Sequence, residues 1–228
     1  LNTTGSENAG FGSFSLQANT EGASNAGFGY QALDGNTTGD SNVAVGRDAL
    51  VSNTTADNNV GIGREAGKAN TTGHSSVYIG RQAGFDNTEG STNVAVGMSA
   101  LANNTTASNN VAVGYEAMVT NTTGTQHVAM GRQALYANTT GSQSTAIGQR
   151  ALYDNTTGSG NTALGYASLE NNTTASNNSA VGYKAGLANT TGASNNFFGF
   201  QAGVANTTAS NNTAMGHNAF SANTTGAG

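Results

Sequence analysis

Apolar residues return along this chain at a fixed interval. Val43-Ala44-Val45 is followed by Val60-Gly61-Ile62, Val77-Tyr78-Ile79, Val94-Ala95-Val96 and Val111-Ala112-Val113, each seventeen residues after the last. Between these short runs lie stretches rich in Asn, Thr, Gly and Ser, and each stretch opens on Asn-Thr, from Asn2 to Asn223, without insertion or deletion. An unbroken period of this kind marks a stacked-repeat architecture and overrides a domain count based on length. Slots 1 to 17 denote the positions of one repeat, counted from that Asn.

Slot 10 is apolar in every repeat, from Phe11 through Val45, Ile62 and Ile79 to Met215, so this row is expected to face a core. Slot 8 is Val from Val43 to Val128 and lies on the same face of an extended strand, because successive side chains of a strand alternate. Period two with β-branched residues predicts a strand there. Slot 11 is always Gly, including Gly46, Gly63, Gly80, Gly97, Gly114 and Gly131, which predicts a bend or a positive φ. Slot 14 is Ala or Ser throughout, as a close approach of two backbones requires. Slot 15 is usually Leu but becomes Gly at Gly67, Gly84, Gly186 and Gly203, and in three of those repeats the bulk moves one place on, to Phe85, Leu187 and Val204. Slots 16 to 6 read as turn.

These features predict an all-β chain, a parallel β-solenoid of 17-residue coils with two short strands per coil around an interior one side chain thick. Like slots then stack at about the 4.8 Å strand spacing. The slot 1 residues, among them Asn36, Asn53, Asn70, Asn104, Asn121 and Asn138, can bond amide to amide up such a row. A helix over slots 10 to 15, as in a leucine-rich repeat, is the competing reading. It is disfavoured by the short period, by Gly at slot 15 and by the Asn-Thr-Thr run that follows. Slot 9, on the opposite face from slots 8 and 10, is Ala or Gly except at Tyr78 and Phe197. A strand that is apolar or small on both faces is covered twice, and no other part of the chain remains to cover it. The cover expected is another copy of the chain, in a parallel homo-oligomer.

Composition narrows the function. Only 8% of residues are charged, with a net charge of -5, so no basic surface exists for nucleic acid or anionic lipid. Cysteine is absent, which removes disulfides and thiolate metal sites. No apolar run approaches the roughly 20 residues of a membrane span, so no membrane insertion is expected. Residues 1–228 read as one continuous solenoid of thirteen repeats, a piece of a longer fibre, since neither terminal stretch resembles a polar cap.

The strings Asn42-Val-Ala-Val-Gly46, Asn93 to Gly97, Asn110 to Gly114, Ser144-Thr-Ala-Ile-Gly148 and Asn161-Thr-Ala-Leu-Gly165 resemble the head repeats of YadA-type trimeric autotransporter adhesins. Asn161 to Asn178 also resembles repeat tracts of bacterial and phage tail fibres. The resemblance implies a left-handed β-roll, three chains side by side, and exposure outside a cell or on a virion surface. The repeats of those adhesin heads are somewhat shorter than these.

Candidate chemistry is sparse. His74, His127 and His217 occupy slots 5, 7 and 12 of separate coils, cannot share a metal ion, and read as solvated. Asp40, Asp57, Glu65 and Glu116 are scattered singly, and no nucleophile with a base or phosphate loop is present, so no catalytic residue, metal or cofactor is assigned and no enzyme activity is expected. Slot 12 carries long side chains, including Arg47, Arg64, Arg81, Tyr115, Arg132, Tyr166 and Tyr183, with Asp48 and Glu65 beside two of the arginines. It reads as a surface or inter-subunit stripe. The Asn-Thr-Thr triplets match glycosylation acceptors, but the turn calls for the same residues. The function expected is a structural or adhesive extracellular fibre, associating with copies of itself and with a host receptor or glycan. The alternatives are an open-ended filament and an ice-binding solenoid. Thr at slots 2 and 3, being adjacent, would point to opposite faces, which weighs against the latter.

Overall fold

The structure, a computed structural model, describes residues 2–226. Leu1, Ala227 and Gly228 of the expected domain 1–228 lie outside the described residues. The chain is a parallel β-solenoid with 17-residue coils, and no helix occurs among the described residues. It divides into two compact units, Leu1–Asn110 and Val111–Gly228.

In the first unit the strands are β1 (Ala9–Phe11), β2 (Ala26–Phe28), β3 (Val43–Val45), β4 (Val60–Ile62), β5 (Val77–Ile79) and β6 (Val94–Val96). Within the unit, consecutive strands from β1 to β6 pair in parallel and in unshifted register, as in Val43 with Val60, Ala44 with Gly61 and Val45 with Ile62. The second unit holds β7 (Val111–Val113), β8 (Val128–Met130), β9 (Thr145–Ile147), β10 (Thr162–Leu164), β11 (Ser179–Val181), β12 (Asn196–Phe198) and β13 (Thr213–Met215), paired in the same way.

Each coil thus has one strand of three residues rather than two strands. The rest of the circuit is stacked turns. Slots 13 and 15 are left-handed even where they carry side chains, as at Asp48 (φ 56°) and Leu50 (φ 48°), and slot 6 is too, as at Ser41 (φ 58°). Left-handed residues cannot propagate a strand, and each costs about 1–2 kcal/mol outside Gly. Bonds between coils offset that cost: Asp48 N–H donates to Tyr30 O at 2.9 Å, Leu50 N–H to Ala66 O at 2.9 Å and Ser41 N–H to Ala23 O at 2.9 Å.

The face of the strand is the reverse of the expectation. Slot 9 points inward: Ala44, Ala95 and Ala112 are fully buried, with the slot 14 Ala49 and slot 15 Leu50. Slot 10 points outward, leaving Val45, Ile62 and Ile79 close to two-fifths exposed, and slot 8 is half-buried. Both faces are apolar or small, so alternation alone does not orient the strand. Size decides: a narrow interior that already holds Leu at slot 15 admits Ala or Gly opposite it, and the branched side chains are left outside.

The exceptions at slot 9 confirm the accounting. Tyr78 and Phe197 are fully buried. A Cβ on Gly67 would stand 2.6 Å from Tyr78 Cδ2, and one on Gly84 would collide with Cδ1 and Cε1 of the same ring. Gly186 and Gly203 bracket Phe197 in the same way. The glycines at slot 15 therefore make room for an aromatic at slot 9. Phe85, Leu187 and Val204 do not replace the missing leucines, because they are only half-buried.

Candidate functional site

Two rows of asparagine form the polar spine of each unit. At slot 1, Asn36 Nδ2 donates to Asn19 Oδ1 at 2.8 Å, Asn53 to Asn36 at 2.8 Å and Asn70 to Asn53 at 2.9 Å. Asn104 donates to Asn87 at 2.6 Å, and in the second unit Asn138 donates to Asn121 at 2.8 Å. Each Nδ2 also donates to the slot 4 carbonyl of its own coil, as Asn53 does to Ala56 O at 3.0 Å. The slot 1 side chains in the interior of both units are fully buried. The acceptor asparagines of the Asn-Thr-Thr triplets from Asn36 to Asn206 are therefore closed to a glycosyl donor in the folded chain, whereas Asn2 is exposed and Asn223 half-buried.

The second row, at slot 7, escaped the sequence reading. There Asn42 Oδ1 accepts Asn59 N–H at 2.9 Å, while Asn42 Nδ2 donates to Ala56 O at 2.8 Å. The signal was present, since slot 7 is Asn in all but three coils. Ala56 O consequently receives two amide protons, one from each row.

His127 stands in this row and is buried, not solvated. Its Nε2 bonds to Gly141 O at 2.6 Å and its Nδ1 lies 3.1 Å from Ser144 N–H. A backbone N–H can only donate and a carbonyl can only accept, so the ring is neutral with its proton on Nε2. It reproduces both hydrogen bonds of the asparagine it replaces. Burial holds its pKa below the ordinary histidine value. His74 and His217 are exposed.

The slot 11 glycines are required twice. Gly46 has φ 128° and Gly131 φ 134°, and a Cβ on either would stand 2.7 Å from the carbonyl oxygen of the next glycine in the row, Gly63 or Gly148. Gly63, Gly80, Gly97 and Gly114 share the conformation, with φ between 129° and 136°.

Slots 8, 10 and 12 form one outer face in each unit. In the first, Phe28, Val45, Ile62 and Ile79 run beside Tyr30, Arg47, Arg64 and Arg81. Arg47 Nε pairs with Asp48 at 3.2 Å and its guanidinium lies 5.9 Å from the Tyr30 ring centre. Arg64 and Lys68 meet Glu65 at 3.3 and 3.7 Å. Burial works to raise the Glu65 carboxyl, but a 2.9 Å bond from Gln82 and the two cations outweigh it and hold the pKa low. Arg81 has no ion pair among the described residues. In the second unit Tyr115 lies beneath Arg132, and its phenol is raised by a hydrogen bond to Glu116 and by that carboxylate's charge. Tyr166, Tyr183, Phe200 and His217 form a stack with ring centres 5.0 to 5.3 Å apart. Such a stack covers ring faces and turns ring edges to water.

A notch of about 280 Å³ is lined by Thr55, Ala56, Asp57, Asn58, Thr72 and His74. It sits where the slot 5 row is interrupted: Asp40 N–H donates to Asp57 Oδ1 at 2.7 Å, Asp57 N–H makes no such bond to the His74 ring among the described residues, and the row resumes with His74 N–H on Ser91 Oγ at 3.1 Å. Among the described residues no group of three His, Cys, Asp or Glu is placed to hold a metal ion, and no helix is long and apolar enough to cross a membrane. No protein-family model, curated protein or solved structure matches the chain.

Proposed function

We propose that this chain is a structural and adhesive segment of an extracellular fibre, in which parallel copies, three in the arrangement implied by the adhesin-like motifs, lie side by side through the face formed by slots 8, 10 and 12. The observation that carries this reading is the outward apolar row at slot 10, which recurs in every coil and is left half-buried to exposed within its unit. Scattered apolar residues on a surface are ordinary, but an unbroken row is an interaction surface. A second copy has the same coil spacing as the row, so its own row can meet it at every level. Tyr, Phe, Met and Arg on the flanking slot 12 are the residue types enriched at such contacts. The partners are copies of the chain, with a host-surface receptor or glycan as the external target. No catalytic residue and no cofactor enter the reading. Sedimentation of the purified chain tests it: association into a trimer is expected, and a monomer at all concentrations would remove the oligomeric fibre.

A second reading, ice binding, draws on a different face. Thr123, Thr140, Thr157, Thr174, Thr191 and Thr208 at slot 3 are all exposed, and the buried Gly or Ala of slot 4 separates them from slot 5. The slot 2 hydroxyls are committed elsewhere, as Thr139 is to Thr156 O at 3.2 Å. A thermal hysteresis assay separates the two readings, since only an ice-binding face would depress freezing without shifting melting.

A further inference from the structure

The second unit holds two pairs of tyrosines that stack on each other. Tyr136 and Tyr153, at slot 16 of adjacent coils, have ring centres 4.9 Å apart and planes within 10°. Tyr166 and Tyr183, at slot 12, are 5.3 Å apart and within 13°. Adjacent coils hold the rings one over the other, so the two phenols of each pair stay in contact. Tyr166 and Tyr183 are 42% and 41% exposed, and Tyr136 and Tyr153 are half-buried, so a small oxidant in water reaches both pairs. The other three tyrosines have no stacked tyrosine among the described residues: Tyr30 meets Phe14 edge-on, Tyr115 lies beneath Arg132 as Tyr153 does beneath Arg150, and Tyr78 is sealed in the interior.

We propose that Tyr136 with Tyr153, and Tyr166 with Tyr183, are sites of oxidative tyrosine coupling that stitch adjacent coils of one chain together. The oxidant is a peroxide acting through a peroxidase-type one-electron catalyst. Each phenol gives up one electron and one proton and becomes a phenoxyl radical whose unpaired spin reaches the carbons ortho to oxygen. The two radicals form one carbon–carbon bond between ortho carbons. The hydrogen on each of those carbons leaves as a proton while each oxygen is reprotonated, which restores both phenols. Two protons and two electrons are lost in all, and one peroxide becomes two waters. Coupling is fast here because the encounter that two free phenols must find by diffusion is already built into the stack. The slot 16 pair lies off the face formed by slots 8, 10 and 12, so its reactivity does not rest on the proposed assembly.

The test treats the full chain with horseradish peroxidase and hydrogen peroxide, diluted until it sediments as a monomer so that the slot 12 pair, which lies on the proposed contact face, is open to the oxidant. It reads dityrosine fluorescence, peptide masses and a denaturing gel. The parent is expected to give two linked peptides, Tyr136 to Tyr153 and Tyr166 to Tyr183, each lighter by two hydrogen atoms, while the chain still migrates as one chain. Tyr136→Phe should abolish the first link and Tyr166→Phe the second, since Phe preserves the stack but has no phenol. The double variant should lose nearly all the fluorescence, and a variant with both Tyr30→Phe and Tyr115→Phe should retain it. Circular dichroism of each variant verifies the coil. Parental fluorescence in a folded double variant, or links found only between chains, would overturn the proposal.

Discussion

At the scale of single residues, the buried amides decide whether one coil can rest on the next. Asn53 Nδ2 donates to Asn36 Oδ1 and Ala56 O, and Asn53 Oδ1 accepts from Asn70 Nδ2 at 2.9 Å. Asn53→Ala removes all three bonds: Asn36 Oδ1 loses the N–H it accepts and one Asn70 N–H loses its acceptor, at about 1–3 kcal/mol for each buried group. Ala56 O keeps Asn42, and Asn70 Nδ2 keeps Gly73 O. Chemical denaturation should show a loss of at least about 2 kcal/mol, against almost none for the exposed Thr55→Ala. His127 makes the same kind of contact through a group that titrates. Its folded pKa is lowered, so the unfolded chain binds the proton more readily and stability rises with pH. The contribution is complete above the unfolded value of about 6.5 and is lost as pH falls through that value towards the folded one. Protonation would also set an Nδ1–H against the Ser144 N–H that Nδ1 now accepts. Thermal melts between neutral pH and the onset of carboxylate titration should show this dependence in the parent. His127→Asn, which restores the row, should flatten it without loss of stability at neutral pH.

At the scale of the element, one coil shows how much the sequence discloses. The strand at slots 8 to 10, the positive φ at the slot 11 Gly and the turn beyond it follow from β-branched residues at alternate positions and from a Gly that never varies. The left-handed residues at slots 13 and 15 were not legible, because Asp48 and Leu50 carry no mark of the conformation that the neighbouring coils impose on them. Nor was the direction of the strand, since Val-Ala-Val is apolar on either face. The coupling between slots was written in the sequence: Gly appears at slot 15 only in the coils of Tyr78 and Phe197 and in the coil before each. Tyr78→Ala should cost about 3–5 kcal/mol, as a large buried aromatic does when it leaves a cavity. Gly84→Leu with Tyr78 in place should fail to fold, the ring already filling that space. The three changes together, Tyr78→Ala, Gly67→Leu and Gly84→Leu, recreate the packing around Ala44 and Leu50, where Leu is at home at φ 48°. Denaturation of the triple variant should recover most of what Tyr78→Ala loses, and additive losses would show that the slots are not coupled.

For the molecule as a whole, reversing the strand moves the apolar row from the interior to the outside and changes what a mutation there should do. Had slot 10 faced the core, a charge at Ile62 or Ile79 would be buried without a partner and would unfold the chain. Both side chains are instead more than a third exposed, so a lysine there can extend its ammonium into water. Paired with Ile62→Lys, Ile79→Lys puts like charges on adjacent strands, and Arg64 and Arg81 of the flanking slot add to them, so a local loss of about 1 kcal/mol is expected. The consequence for assembly is larger. Parallel copies meeting along this face would bury the same two ammonium groups from every chain, at several kcal/mol for each unpaired charge. The double variant should therefore keep the circular dichroism of the parent while sedimenting as a monomer. An unfolded variant would return slot 10 to the core, and a folded one that still associates would move the contact between copies to another face of the coil.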